Sequence, residues 1–195
     1  MSNVIYNEVL DLNLEAQRKT AHYMYEYVKH KFTDEIELNG QLTLSTKLFD
    51  RYNYLMYPLP GVHELYNSIK DVFHRINTDP YTDYFIQCWL NFYHKGDYID
   101  WHAHWASEAD SWHGFYCVDV EPDSYTDYKF KGSDSISRIK SKDNLLVISK
   151  SGNDVHRSSE WKEDRPRITI AFDIVPAEKL FDVGAYRNPN HWIPI

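Results

Sequence analysis

This sequence has little of what would tie a chain to a covalent scaffold, a bilayer or a phosphate backbone. Its two cysteines, Cys88 and Cys117, stand without C-x-x-C spacing. They read as reduced, buried small hydrophobes rather than the start of a disulfide framework. No stretch approaches the roughly 18 apolar residues of a membrane helix. The start, MSNVIYNEVLDLN, lacks the basic segment and apolar run of a signal peptide. The expectation is a cytoplasmic protein that makes no use of a membrane. Lysine and arginine form no cluster, and the formal net charge is −8, so nucleic acid is a poor partner.

Rings are what the chain has in abundance. Aromatic residues make up 16% of it and hydrophobic residues 43%, against 26% charged, a composition that folds. A length of 195 residues suits one domain with a sizeable core. Tyrosine and tryptophan can be buried while keeping a polar handle, which fits a core containing a wet pocket.

Apolar residues first recur at helical intervals. Leu14, Ala21, Tyr25, Val28 and Phe32 predict a helix over 14–32, and Val62, Leu65, Ile69, Val72 and Ile76 predict another over 62–77. Leu42 and Leu44 alternate after an Asn-Gly turn signal and suggest a short strand between them. From Tyr84 the period changes to two. YFIQCWLNFY, YIDWHAHW, WHGFYCVDV, NLLVISK and RPRITIAFDIV read as strands, with a turn at HKGDY around Gly96. The polar connector 121–144 has room for one more strand near Tyr128 to Phe130. The pattern predicts a single mainly β domain, an antiparallel sandwich or small barrel. Residues 1–83 form a helical brace with peripheral strands, 84–176 the core, and 177–195 a tail.

Histidines carry the chemistry. On a strand, His102 and His104 leave the same side, about 7 Å apart at their Cα atoms. His156 follows the strand NLLVISK and its Gly152 turn. Three such side chains can hold an octahedral iron and leave three positions open. Farther on, Arg167 and Thr169 share a face of RITIAFDIV, as does Arg165. A guanidinium in so apolar a run needs an anion, and no acid lies between Arg167 and Phe172 to provide one. A ligand carboxylate would.

These residues resemble the iron(II)- and 2-oxoglutarate-dependent oxygenases of the double-stranded β-helix fold, a jelly-roll or cupin-like barrel. WLNFYHKGDYIDWHAH, HGFYCV, LLVISKSGNDVH and RPRITIAFDI stand where that family has its ligand pair, its distal histidine and its arginine. The likeness is nearest to a phage and bacterial branch that reads W-x-N, G-D-Y-N, H-x-H and, later, H and R-I-S-I-x-F-N. The resemblance implies Fe(II) held by His102, His104 and His156, and 2-oxoglutarate held by Arg167 with Thr169, Arg165 being the rival. Asn91, Tyr93 and Tyr116 are implied as pocket lining, and Cys117 replaces a frequent tyrosine. It also implies O2 as co-substrate and hydroxylation of a small molecule or peptide. His104 departs from the family, which has Asp or Glu there, and leaves the metal one negative charge poorer. Glu108 and Asp110 are the nearby acids.

His94, His113 and His191 have no partner pattern and read as ordinary histidines. Trp101, Trp105 and Trp112 read as core or pocket wall. Two other readings remain open. One is a cupin-type three-histidine dioxygenase or isomerase with no use for 2-oxoglutarate. The other is a non-catalytic β-sandwich that binds or builds; against it, a structural metal prefers four closed ligands.

Overall fold

The change of period at Tyr84 marks where the main sheet begins. A computed structural model describes residues 5–31, 44–46, 52–106, 109–180 and 191–195. Its strands are β1 (Ile5–Val9), β2 (Leu44–Ser45), β3 (Tyr84–Tyr93), β4 (Trp112–Asp119), β5 (Tyr125–Phe130), β6 (Ile136–Lys140), β7 (Leu145–Lys150), β8 (Asp154–Ser158), β9 (Arg167–Pro176) and β10 (Ile193–Pro194). The long helices are α1 (Leu14–Lys31) and α2 (Val62–Ile76). Among the described residues the strands form two antiparallel sheets. The larger has the order β1-β7-β4-β9-β3-β10, with β2 also on β3, and the smaller the order β6-β5-β8.

Strand β9 is the spine. All ten of its residues are buried, because β3 flanks it on one side and β4 on the other. Its even-numbered residues Ile168, Ile170, Phe172 and Ile174 enter the main core with Cys88, Leu90 and Phe92 of β3. Fully burying each such side chain is worth about 1.5–3 kcal/mol. The odd-numbered residues face the other way, toward the smaller sheet.

The helices cover the even-numbered face. From α1 come Ala21, Met24, Tyr25 and Val28, and from α2 Leu65, Ile69, Val72 and Phe73. Tyr25 stacks on Phe92 at 3.7 Å between ring centres. Asn13 caps α1 by accepting from the Ala16 amide at 3.1 Å. Both expected stripes are present; Phe32 and Leu42 lie outside the described residues. No described helix is long and apolar enough to cross a membrane.

Two expectations about strands need correction. The stretch YIDWHAHW is no strand and makes only a single bridge, His102 to His156. Side-chain oxygens, one from β8 and one local, take amides that a ladder would use. The Ile99 amide donates to Ser158 Oγ at 2.7 Å, and the Trp101 amide to Asp100 Oδ1 at 2.7 Å. The polar connector holds two strands, β5 and β6, joined through Gly132, which sits at φ 79°. In addition β1, unforeseen, pairs along β7.

Gly114 shows how tightly β4 is pressed between its neighbours. A Cβ there would overlap the Val147 carbonyl oxygen and the Phe172 ring. Gly114→Ala is therefore expected to cost about 1–3 kcal/mol of stability. Thermal melting checks this, and an unchanged midpoint would mean the strands are looser than described.

Candidate metal and carboxylate site

The odd-numbered face of β9 looks into a cavity of about 280 Å³ between the two sheets. Arg167, Thr169 and Ala171 line it from β9, and Trp89, Asn91 and Tyr93 from β3. His113 and Phe115 enter from β4, Thr126 from β5, and His156 and Ser158 from β8. His102 and His104 reach it from the irregular segment before β4. The ladders fix the rows: Tyr93 lies opposite Arg167, Asn91 opposite Thr169, and Trp89 opposite Ala171.

The three expected histidines converge. Ring nitrogens of His102, His104 and His156 lie within 4.8 Å of one another. The bridge explains the closeness of two of them, since the His102 amide donates to the His156 carbonyl at 3.0 Å and the reverse bond is 2.9 Å. His156 follows β7 and its Gly152 turn as expected, and sits in the middle of β8. His102 Nδ1 donates to the Asp100 carbonyl at 2.7 Å, and His104 Nδ1 bonds the Asp173 carboxylate. Both contacts tie up Nδ1 and present Nε2, the arrangement usual around protein-bound metals.

His113, taken from the sequence as an ordinary histidine, belongs to the cluster. Its ring lies 4.6 Å from those of both His104 and His156, nearly parallel to each. A second potential ligand group, His113 with Asp154 and His156, shares His156 with the first. Two of its members already satisfy each other. His113 Nε2 is 2.9 Å from Asp154 Oδ2, which also accepts from Ser149 Oγ at 3.1 Å. That makes it the weaker candidate.

The two arginines separate cleanly. Arg167 is 1% exposed, and its Nε and Nη1 have no hydrogen-bond acceptor. Its guanidinium lies 4.8 Å from the centre of the Tyr93 ring. Arg165 turns outward instead and forms ion pairs with Asp119 and Glu121. Pro166 has no amide to give a ladder, so β9 begins only at Arg167.

Other expected residues fall on both sides of the cavity wall. Asn91 lines it with its buried Oδ1 unbonded. Burial raises the pKa of the Tyr93 hydroxyl, against the pull of Arg167 and bonds to Ser158 and Thr169. Tyr116 does not line the cavity: it has the parity of Trp112 and Val118, sits in the helix-side core, and bonds Asn144. Cys117 lies opposite Thr169, its pKa pushed up to about 11, chiefly by burial. Asp110 pairs with Lys150 away from the histidines, and Glu108 is outside the described residues. Trp112 is core, Trp101 lies under Arg157, and Trp105 packs on Trp192. Among the described tryptophans, the one that does form cavity wall is Trp89.

No protein-family model and no curated protein sequence matches this chain. Solved structures do. A prolyl-4-hydroxylase from Pseudomonas putida superposes with a TM-score of 0.60 at 10% identity, over 89% of this chain and 93% of that one. A prolyl hydroxylase from Trichoplax adhaerens, in complex with a hypoxia inducible factor peptide fragment, gives 0.62 at 12% identity, over 90% and 84%. A non-heme monooxygenase, ThoJ, in complex with nickel gives 0.59 at 9% identity, over 89% and 74%. At such identities the likeness is one of fold. The chain has the mainly β, double-stranded β-helix fold that these structures share.

Asp127 braces the strand that carries His156. Its buried carboxylate accepts from Arg138 at 2.7 Å and Arg157 at 3.1 Å, and the next residue, Tyr128, pairs with His156. Arg138 first, then Arg157, holds its pKa below the ordinary 3.8. A depressed carboxylate stabilises the fold above its unfolded pKa and loses that contribution as pH falls through the folded one. Asp127→Asn should cost roughly 1–3 kcal/mol at pH 7. Melting curves should show the gap to wild type closing as pH is lowered through and below 3.8; a constant gap would contradict the ion pairing.

Proposed function

We propose that the protein is an Fe(II)- and 2-oxoglutarate-dependent dioxygenase that hydroxylates a C–H bond of a small molecule or peptide. The observation that carries this reading is Arg167. A fully buried guanidinium with unmet N–H groups stands on the wall of the same cavity that gathers three imidazoles. It lacks a carboxylate, and the cavity has room for one. When bound, iron with 2-oxoglutarate supplies oxygen activation, the keto acid being split to succinate and CO2.

The chain's own residues then have distinct tasks. His102, His104 and His156 hold the metal, with Asp100 and Asp173 setting the orientation of the first two rings. The His-x-His form of the pair, shared with the phage and bacterial branch, is part of this reading. Arg167 takes the far carboxylate of 2-oxoglutarate in charge-assisted bonds, and Thr169 offers a hydroxyl beside it. Tyr93 covers the guanidinium with its ring, while Asn91 presents a polar atom in the next row, opposite Thr169. Trp89, Phe115 and Ala171 form the apolar middle of the wall and keep water out. A volume of about 280 Å³ is at the lower edge of small-molecule sites, roughly 300–1,000 Å³. It accommodates 2-oxoglutarate and a protruding group, not a folded partner. A peptide substrate accords with the peptide-bound prolyl hydroxylase of similar fold.

With iron and ascorbate, the wild-type protein should release succinate from 2-oxoglutarate, and His102→Ala should not; equal turnover by both removes the mechanism. Calorimetric titration of the anaerobic Mn(II) form with 2-oxoglutarate tests Arg167. Arg167→Ala should weaken binding about 30- to 3,000-fold with metal affinity nearly unchanged. Arg165→Ala should have little effect, because that side chain is occupied outside. If the wild type takes up metal but no 2-oxoglutarate, a cupin-type three-histidine enzyme becomes the better reading.

A further inference from the structure

The metal reading leaves a charge unaccounted for. Three neutral imidazoles bring no anion to a divalent ion, where the related oxygenase pattern has a carboxylate in place of His104. A carboxylate is nevertheless present, one bond farther out. Asp173 bonds Nδ1 of His104, and the two side chains are 4% and 6% exposed. Buried this far, the pair is screened little by solvent or salt.

Its placement follows from the parity of β9. Asp173 is on the same face as Arg167, Thr169 and Ala171, and β9 carries no other acid. A carboxylate among such apolar neighbours is costly without a charged or hydrogen-bonding partner. Across the ladders it faces Gln87 of β3 and His113 of β4. His113 already has Asp154 on its Nε2. Two buried carboxylates and two buried imidazoles are thus sorted into separate pairs, and only the Asp173 pair includes one of the three converging ligands.

We propose that Asp173 is the anionic group of this metal site, acting through the His104 ring instead of touching the metal. By accepting the Nδ1 proton it makes Nε2 more basic and gives the imidazole part of the negative character of the carboxylate it replaces. Asp173 is a positioning and charging residue, and its role rests on the three-histidine reading above.

The test is a cycle of four full-length proteins: wild type, Asp173→Asn, His104→Asp and the double variant, each titrated with Mn(II). Asparagine keeps the size and an acceptor oxygen while removing the charge. In the wild-type background, Asp173→Asn should weaken Mn(II) binding about 10- to 100-fold. In the His104→Asp background the same change should cost nothing, or tighten binding by relieving two neighbouring carboxylates. A merely structural role would cost the same in both backgrounds, and that result overturns the proposal. Should His104→Asp fail to show a cooperative melt, the Zn(II)-loaded wild type and Asp173→Asn decide by NMR. The ring Nδ1 proton of His104 should move upfield when the charge is removed; a proton that stays in place overturns the proposal. Wild-type protein that binds neither Mn(II) nor Zn(II) would bring down the metal reading and this inference together. Metal binding that is intact and indifferent to Asp173 would bring down only the inference.

Discussion

Everything at this site depends on the strict alternation of one strand that is buried on both faces. Strand β9 gives its even-numbered side chains Ile168, Ile170, Phe172 and Ile174 to the helix-covered core, and Arg167, Thr169 and Ala171 on its other face to the cavity. A slip of one residue would send Arg167, Thr169 and Asp173 into the hydrocarbon core and bring Ile168, Ile170 and Phe172 to the ligands. The apolar side therefore specifies the polar side. The core residues fix the register, and the register sets how far apart the arginine and the aspartate stand, about 20 Å along the strand.

The second constraint is charge inside low-dielectric surroundings. Buried ionic groups persist when they are paired or await a partner. Asp127 has two arginines, Asp154 has His113, and Asp173 has His104. Arg167 stands apart because its Nε and Nη1 have no acceptor. In the proposed function, an anion from outside meets those donors, in a chain of net charge −8. Arg165, two residues earlier, shows the contrast: free of the ladder, it found Asp119 and Glu121 at the surface.

Much of this could be read from the sequence, for physical reasons that also explain the rest. The mainly β class followed from the change of period at Tyr84, while the grouping of His156 with the His102–His104 pair came with the family resemblance. Arg167 stood out because the apolar run offered it no acid before Phe172. The next acid along the same face, Asp173, was equally visible by parity, but its bond to His104 depends on a segment that is irregular instead of a strand. Tyr116 was misplaced for want of the same count, since it alternates with Phe115 and so faces away from the cavity that Phe115 lines. His113 could not be recognised without the register that sets it beside two other rings. The β5–β6 hairpin escaped notice because β6 is mostly solvent-facing and its charges mask the alternation.

In the proposed function, the odd-numbered face of β9 organises a metal and a dicarboxylate together. A crystal structure grown without oxygen, with Mn(II) and 2-oxoglutarate, tests it most directly. One metal ion is expected on His102, His104 and His156, with the far carboxylate of 2-oxoglutarate on Arg167 and Thr169. A metal held by His113, Asp154 and His156, or a 2-oxoglutarate lying anywhere but against Arg167, would contradict it.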